Sequence, residues 1–344
     1  MNIWGSLRPV CDSTRSDADT GESRVSLITR ILELSPYIEV LARRVYWSNR
    51  WFIAGAKKMG FMRPRASASA TQETWRKIEA FLGAAGVREG SLMIVHSSGT
   101  ALMSTGYSPA RLVDNLLALV GPSGTLAMPA IPKYADEPQG IDRIRADVSD
   151  LEPVYDVQNS VPWTGVLPLQ LMGHPGAVRS RHPLNSMAAV GPLARPMMEN
   201  NMMGDRPLPC GVQSSWKFCA DHGAVIVALG VDMVHSATMI HVAEDSYEHE
   251  WPIRDWYRER KFRIVDHGAT SRVTVRERHP KWAAYYAERT IARDLKRAGL
   301  MACASIDGIS IELVAAQDLL RLLGAGRAKA YPYFTIPRSL KKIR

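Results

Sequence analysis

Hydrophobic residues recur along the chain with periods that distinguish helices from buried strands. Ser91–His96 is a short apolar run of the kind found in a buried strand. Leucines and valines at helical spacing over residues 108–120 predict an amphipathic helix capped by Ser108. After a turn at Gly121–Gly124, Thr125–Met128 predicts the next strand. This strand–helix–strand unit indicates a parallel pair with a right-handed crossover.

The remaining periodic segments extend this alternation of strands and helices. A helix capped by Thr74 is predicted to run to about Ala85, and Ala224–Leu229 is another buried strand. The other predicted elements are a hairpin at Lys261–Val265 and Arg272–Val275 and helices at Trp282–Leu295 and Ala315–Leu323. Together they predict an α/β fold, a layered sheet flanked by helices.

The N-terminal segment differs from this domain in pattern and charge. Apolar residues recur at helical spacing over residues 25–60, which predicts a helix broken or kinked at Pro36. Between Arg24 and Arg65 lie nine basic and two acidic residues, a net +7 out of the chain's +9. The rest of the chain is mildly basic, which suits an anionic cofactor without requiring one.

These differences divide the chain into three predicted parts. Residues 1–24 have few apolar side chains and are predicted to be disordered. Residues 25–66 form a basic, aromatic helical extension that ends in a Pro/Ser/Ala linker at 64–70. Residues 67–344 form the main domain, which is predicted to fold without the extension. The expected fold class is therefore α/β with an N-terminal helical extension.

Two roles for the extension remain open. Its aromatic residues, such as Trp47 and Trp51, lie among cations such as Arg43 and Arg50. A helix of this kind can contact an anionic membrane, so one hypothesis is peripheral contact with the inner membrane face through residues 25–60. The favoured hypothesis is packing on its own domain or on a second subunit in a homodimer, since surface helices commonly have this pattern.

Composition excludes several other classes of protein. The four cysteines form no metal-ligand or CxxC spacing, so reduced thiols and no bound metal are expected. The N-terminus lacks a basic region followed by an apolar core, and no apolar run is long enough to span a bilayer. A cytoplasmic protein without a nucleic-acid partner is expected.

Three segments carry the residues with candidate chemistry. His182 precedes a proline, which restricts its backbone and predicts a position at the edge of a strand or loop. His241 and Glu244 follow Thr238 at three-residue steps, so the three are predicted to share one face of a helix. Ser97 and Ser98 follow a buried strand, where parallel sheets commonly bind ligands.

The ordered motifs around these residues resemble those of one enzyme family. The motifs are His96–Ser98, Gly121–Pro129, Pro162–Pro168, Arg179–Gly191, Pro209–Gly211, Val227–Gly230 and Thr238–Asp245. In this order and spacing they resemble the aminoglycoside 3-N-acetyltransferase family over roughly residues 70–335. The resemblance implies transfer of an acetyl group from acetyl-CoA to an amine of an aminoglycoside or a related amino sugar. Residues 67–344 would then be the N-acetyltransferase domain.

The resemblance also implies roles for individual residues. His182 occupies the position of the catalytic histidine, and Glu244 that of an active-site carboxylate. Ser97 and Ser98 lie where the family binds the pantetheine and pyrophosphate of CoA. A further cofactor-binding candidate is the hydroxyl of Ser186, and the substrate-binding candidates are His241 and Asp245. A small-molecule amine is the expected partner.

The chain departs from the family pattern at two positions. Ala237 stands where many relatives have asparagine, and Asn185 stands where the histidine motif often has a second histidine. Either difference could alter substrate preference or weaken the hydrogen bonds around His182. The acidic residues between Glu244 and Glu259 are compatible with a cationic sugar, but arginines interleave with them.

Other functions fit the sequence less well. A metal hydrolase would need a dense ligand motif such as HExxH, which the chain lacks. A serine hydrolase would need a complete nucleophile elbow, and Gly211–Ser215 lacks the second glycine. A non-enzymatic module that binds anionic surfaces would explain the basic extension but not the downstream motifs. Among acyltransferases, the alternative acceptor is an amino-sugar intermediate of surface-polysaccharide or secondary-metabolite biosynthesis, and the acyl group could be larger than acetyl.

Overall fold

The computed structural model of the protein describes residues 31–48, 70–138, 142–326 and 333–334. Residues 1–24, predicted to be disordered, and most of the predicted linker at 64–70 lie outside these ranges. The helices are α1 (Pro36–Ser48), α2 (Gln72–Ala84), α3 (Gly99–Met103), α4 (Pro109–Val120), α5 (Asp142–Arg145), α6 (Val166–Met172), α7 (Ala194–Glu199), α8 (Ser215–Asp221), α9 (Met233–Ser236), α10 (Val242–Asp245), α11 (Glu288–Arg297) and α12 (Ala316–Gly324), with 3₁₀ turns at Thr238–His241 and Pro280–Tyr285.

The strands form two sheets. They are β1 (Leu92–Ser97), β2 (Thr125–Pro129), β3 (Val154–Asp156), β4 (Val178–Arg179), β5 (Met187–Val190), β6 (Val225–Leu229), β7 (Tyr257–Asp266), β8 (Ala269–Arg278), β9 (Met301–Ile306) and β10 (Ile309–Ala315). The main sheet has seven strands in the order β4-β5-β2-β1-β6-β10-β9. The smaller sheet has the order β3-β7-β8.

The centre of the main sheet is parallel and its flanks are antiparallel. β1 pairs in parallel with β2 and with β6. β5 and β10 then run antiparallel to the strands beside them. The predicted parallel pair at the heart of an α/β fold is thus confirmed, and the sheet continues outward in hairpins that the periodicity did not predict.

Both faces of the main sheet are covered by helices. Met93 and Val95 face one apolar cluster, together with residues of α2, α4 and α6. Leu92 and Ile94 face the other, together with residues of α8, α11 and α12. Because alternate side chains of a strand point to opposite faces, β1 contributes to both clusters. This layered arrangement confirms the predicted fold class.

Two helix boundaries differ from the prediction. Thr74 lies in the first turn of α2 rather than before it, because its Oγ1 accepts the Thr71 N–H at 2.9 Å and donates to Asp307 at 2.7 Å. The helix predicted at Trp282–Leu295 is divided into a 3₁₀ turn and α11. The break lies at Tyr286, whose backbone forms an antiparallel bridge with Phe334.

The described part of the N-terminal extension packs on its own domain. Helix α1 begins at Pro36, as the predicted break requires. It contacts α11 and the 3₁₀ turn at Pro280–Tyr285. Val40 joins the larger apolar cluster, and Arg43 donates to the Ala283 carbonyl at 3.3 Å. Within the described residues, no helix is both long enough and apolar enough to cross a bilayer.

Candidate active site

His182 lies in a loop that two tyrosines hold in place. The loop connects β4 with β5. Tyr155 donates to the Ser180 carbonyl at 2.6 Å, and its hydroxyl is 2.8 Å from Ser186 Oγ. Tyr134 donates to the Pro183 carbonyl at 2.8 Å. Both tyrosines are buried, and their hydroxyl groups hold the loop at Ser180, Pro183 and Ser186.

Arg179, at the end of β4, also holds the start of the same loop in place. Its guanidinium donates to the carbonyls of Ala130 and Ser160 at 2.6 Å and of Val157 at 3.2 Å. It also lies over the ring of Tyr155, 5.1 Å from the centroid. One buried cation thereby joins the chain after β2, the chain after β3 and the start of the His182 loop.

The imidazole of His182 is buried among backbone groups. Its Nδ1 lies 3.0 Å from the Leu184 carbonyl and 3.2 Å from the Leu184 N–H, and its Nε2 lies 3.3 Å from the Pro207 carbonyl. Burial lowers the pKa of His182 to about 4, so the ring is neutral at neutral pH. A neutral imidazole carries one N–H, so its tautomer decides which nitrogen donates.

Asn185 follows in the same loop with a positive φ of 48°. Asparagine tolerates this left-handed conformation better than most residues. Its carbonyl accepts Trp216 Nε1–H at 2.8 Å, and its amide is 3.5 Å from Cys210 Sγ. The departure from the family pattern at this position therefore fits the local backbone.

Glu244 pairs with His241 and not with His182. His241 Nδ1 lies 3.3 Å from Glu244 Oε2, and the carboxylate is fully buried. Glu244 Oε1 has no hydrogen-bond partner among the described residues. Thr238 and His241 form a 3₁₀ turn that α10 continues, so the three predicted positions lie on two successive short turns.

Asp245 is a buried carboxylate held by two donors. Tyr257 donates to Oδ1 at 3.0 Å and the Cys210 N–H donates to Oδ2 at 3.1 Å. Burial, together with the smaller effect of the neighbouring charge of Glu244, raises the pKa of Asp245 to about 7. Its carboxyl group therefore titrates near neutral pH.

Two cavities meet at Asp245. The first, here called the basic cavity, has a volume of about 550 Å³. The second, here called the acidic cavity, has a volume of about 480 Å³. Residues that line the basic cavity include Lys133, Glu137, Arg143, Trp163, Leu184, Asn185, His241, Asp245, Glu277 and Arg278. Residues that line the acidic cavity include Asn201, Asp205, Arg206, Pro207, Gln213, Asp245, Glu248, His249 and Arg276.

The lining of the basic cavity holds three cations (Lys133, Arg143 and Arg278) and three carboxyl groups (Glu137, Asp245 and Glu277), and two further arginines, Arg258 and Arg260, pair with these glutamates. Glu277 accepts from Arg143 at 2.6 Å, from Arg258 at 2.8 Å and from Arg260 at 3.1 Å. Arg260 also pairs with Glu137. Lys133 and Arg278 line the cavity without an ion pair in the described part of the chain. The wall therefore favours an anionic ligand.

Carboxylates are in excess around the acidic cavity. Arg206 pairs with Asp205 at 3.0 Å and also with Glu259. Arg276 pairs with Glu248, with one contact at 3.1 Å. Asp245 adds a further carboxyl group to this wall. The acidic cavity therefore favours a cationic ligand, in contrast to its neighbour.

The predicted serines do not line either cavity. Ser98 caps α3 by accepting the Ala101 N–H at 3.3 Å, and Ser97 ends β1. The turn packs on the segment after Trp163, since a Cβ at Gly99 would lie 2.6 Å from Val166. Ser186 is fully buried, and its hydroxyl faces Tyr155.

The structure brings some predicted residues together and separates others. His241 and Asp245 both line the basic cavity. His182 is buried and lines neither cavity, but its ring contacts the backbone of Leu184, which lines the basic cavity, and of Pro207, which lines the acidic one. Sequence reasoning missed Tyr134, Tyr155, Lys133, Trp163 and Arg278. Trp163 alone had a signal, its place in the Pro162–Pro168 motif, whereas the others approach the site only through tertiary contacts.

Comparison with known proteins agrees with this architecture. The family model for aminoglycoside 3-N-acetyltransferase matches residues 94–325. Aminoglycoside N(3)-acetyltransferase VIII of Streptomyces fradiae is 29% identical over 267 residues, covering 70% of this chain and 86% of the relative. Aminoglycoside N(3)-acetyltransferase IX of Micromonospora chalcea is 30% identical over 249 residues, covering 66% and 83%.

Solved structures share the fold. AAC-IIIb in binary complex with CoASH superposes with a TM-score of 0.64 at 22% identity, covering 78% of this chain and 98% of the other. Sisomicin-bound AAC-VIa superposes with a TM-score of 0.57 at 23% identity, covering 75% and 99%. The fold and the ordered motifs define an α/β acyltransferase. The chain belongs to the aminoglycoside 3-N-acetyltransferase family, which confirms the predicted resemblance and enzyme class.

Proposed function

We propose that this enzyme transfers an acetyl group from acetyl-CoA to a primary amine of an aminoglycoside or a related amino sugar. The observation that carries the proposal is the meeting of two oppositely charged cavities at Asp245, beside the His182 loop. Such a reaction must bring a polyanionic thioester next to a cationic amine. Structural relatives bound to CoASH and to sisomicin support the same pairing of ligands.

The basic cavity is proposed to take acetyl-CoA. Lys133 and Arg278 form no close ion pair among the described residues, although Arg278 acts electrostatically on Asp245, and both can attract its phosphates. Trp163, which is 63% exposed, offers an apolar surface to the pantetheine arm. Ser97 and Ser98 precede Gly99, which packs against Val166 in the segment after Trp163, so the proposal gives them a supporting part in holding this segment.

The acidic cavity is proposed to take the acceptor. Asp245 lies between both cavities and can hold an ammonium group next to the thioester. An approaching ammonium favours the ionised form of a carboxyl group, so binding would lower the raised pKa of Asp245. His241 lines the basic cavity close to the junction, with Glu244 orienting its ring.

His182 is proposed to accept the proton during transfer. In the tautomer that this proposal requires, the proton is on Nδ1 and is donated to the Leu184 carbonyl at 3.0 Å, so Nε2 is unprotonated and can act as a base. The acceptor amine would replace the Pro207 carbonyl as the partner of Nε2. The ammonium first loses one proton to solvent, and the neutral amine nitrogen then bonds to the thioester carbon. Its second proton passes to Nε2, the carbon–sulfur bond breaks, and CoA leaves as the thiolate to be protonated.

A second acceptor class is favoured by the ion pairs of the acidic cavity. Asp205 and Glu248 already pair with arginines, so Asp245 is the lining carboxylate without an ion pair among the described residues. This pattern suits an acceptor with few ammonium groups, such as an amino-sugar intermediate of surface-polysaccharide or secondary-metabolite biosynthesis.

The test measures release of CoA thiol with a panel of aminoglycosides and simpler amino sugars. The proposal expects thiol release that depends on both acetyl-CoA and an amine. Arg278→Met should raise the KM for acetyl-CoA and leave the KM for the acceptor unchanged, whereas the exposed control Arg76→Met should change neither. No thiol release with any amine, and no CoA binding by calorimetry in folded protein, would rule the proposal out.

A further inference from the structure

The outer face of the β7–β8 hairpin leads away from the two cavities. Residues directly opposite each other in a hairpin share one face, and every second residue returns to that face. Tyr257, which donates to Asp245, lies opposite Arg278 of the basic cavity. Two residues from Arg278 on the same face, Arg276 lines the acidic cavity. This face therefore begins where the cavities meet and continues outward along both strands.

Beyond the cavity wall this face is cationic. Lys261 lies opposite Thr274, and Arg263 lies opposite Arg272. All three basic side chains are exposed, and they are here called the cationic row. A strand rises about 3.4 Å per residue, so Lys261 lies roughly 7 Å beyond the level of Arg276, and the two arginines of the row lie roughly 14 Å beyond it.

The charge of the cationic row is only partly offset. In the described part of the chain Arg272 pairs with Glu152 at 3.0 Å, whereas Lys261 and Arg263 form no ion pair. Arg263 and Arg272 also lie directly opposite each other, and like charges in that arrangement destabilise a pair of strands. An anion bound across the row would relieve this repulsion.

Carboxylates surround the other end of the same face. Asp245 and Glu248 line the acidic cavity, where Glu248 pairs with Arg276 at 3.1 Å. Glu259, opposite Arg276, pairs with Arg206. The face thus changes sign along its length, from carboxyl groups at the acidic cavity to unpaired cations beyond it. A complementary ligand carries an amine at one end and an anionic group next to it.

We propose that the cationic row is a subsite for a phosphate or diphosphate group attached to the sugar of the acceptor. The inference rests on the proposed function, which places the acceptor amine at Asp245. A guanidinium can bind a phosphate through two parallel hydrogen bonds, and a lysine adds a point charge. The same cations repel a polycationic aminoglycoside that extends beyond the acidic cavity. The acceptor is therefore a phosphate ester of an amino sugar, either a simple sugar phosphate or a nucleoside diphosphate conjugate.

Calorimetry on the full chain saturated with CoA tests the subsite, because bound CoA keeps other phosphates out of its own site. The ligands are glucosamine, glucosamine 1-phosphate and UDP-glucosamine. Both phosphate esters should bind more tightly than glucosamine, and the difference should shrink as sodium chloride screens the charges. Tighter binding of UDP-glucosamine than of glucosamine 1-phosphate would identify the nucleoside diphosphate as the carrier, whereas equal binding would identify the simple phosphate.

The double variant Lys261→Met/Arg263→Met removes the unpaired cations of the row. It should weaken binding of UDP-glucosamine roughly five- to tenfold, as expected for two exposed charge pairs, and should flatten the salt dependence. Binding of glucosamine and the melting temperature should remain those of the wild type. Arg111→Met is the matched control, since Arg111 is an exposed cation on α4, and it should bind all three ligands like the wild type.

Three outcomes would overturn the subsite. The phosphate esters could bind no better than glucosamine, the double variant could bind UDP-glucosamine like the wild type, or it could lose affinity for CoA instead, which would assign the cationic row to the cofactor. Thiol release from acetyl-CoA with sisomicin, an amine without phosphate, tests the proposed reaction separately. Failure of the subsite with thiol release intact is therefore distinguishable from failure of the reaction itself.

Discussion

The carboxylate of Glu39 caps helix α11 by accepting the backbone N–H of Arg289 at 3.0 Å. Ala287 precedes this helix and makes no side-chain cap, so the first N–H groups of α11 would otherwise lack partners. Negative charge is also favourable at a helix N-terminus. A residue of the N-terminal extension thus completes a helix that lies about 250 positions further along the chain.

Glu39→Ala should therefore lower the free energy of unfolding by about 1–3 kcal/mol, the cost of leaving buried donors unpaired. Urea denaturation measures the change. Glu73→Ala is the control, because Glu73 lies in the first turn of α2 and is 59% exposed, and it should behave like the wild type. Equal stability of Glu39→Ala and wild type would indicate that the main domain folds independently of the extension, as its composition predicts.

His182→Ala should lower turnover about 10²- to 10⁴-fold, the usual contribution of a positioned base. CoA affinity, measured by calorimetry, should remain near the wild-type value, since the basic cavity is lined by other residues. His241→Ala supplies the comparison. If His241→Ala loses more turnover than His182→Ala, the base is the histidine paired with Glu244.

The pH profile of kcat/KM for the acceptor should contain a limb near pH 7. This limb belongs to Asp245, whose pKa burial raises to about 7. The ionised carboxylate holds the ammonium, so kcat/KM for the acceptor should rise as pH increases through this region. His182 titrates near pH 4 and cannot supply that limb. Asp245→Asn should lose it and raise the acceptor KM about tenfold or more. An unchanged limb in Asp245→Asn would assign it to the amine or to another group.

The same shift predicts how Asp245 affects stability. Its folded pKa lies above the ordinary value, so between about pH 4 and 7 the folded state binds a proton that the unfolded state has lost. The contribution of Asp245 to stability therefore falls as pH rises through this range. Asp245→Asn should melt higher than the wild type at pH 8, and the gain should shrink toward pH 4. Melting curves at both pH values check the sign.

Tyr155→Phe should lower turnover strongly and the free energy of unfolding only slightly, because the hydroxyl positions the His182 loop through Ser180 and Ser186. We expect a loss of about 1 kcal/mol in the free energy of unfolding together with a larger fall in kcat than change in KM for acetyl-CoA. Tyr107→Phe, on the far side of the main sheet, is the control. A kcat equal to that of the wild type would show that the loop holds its geometry without this hydroxyl.

The sequence predicted those elements whose signals are local. The apolar run of β1, the capped amphipathic helix α4 and the alternation in β7 and β8 are all set by neighbouring residues. The divided helix near Tyr286 was missed, because the bridge that breaks it joins residues almost fifty positions apart. Strands β9 and β10 were missed because their pattern of burial depends on the sheet they join.

The sequence by itself determined the family, the α/β class and the segments that carry His182, His241, Glu244 and Asp245, since these follow from residue order and spacing. Only the tertiary structure decided which groups meet. It pairs Glu244 with His241 rather than His182, and it turns Ser186 toward Tyr155. The tertiary structure also pairs Glu137 with Arg260, 123 positions away, and this ion pair offsets the negative charge of Glu137 in the basic cavity. Contacts of this kind depend on how the sheets and loops pack, and local spacing carries no information about them.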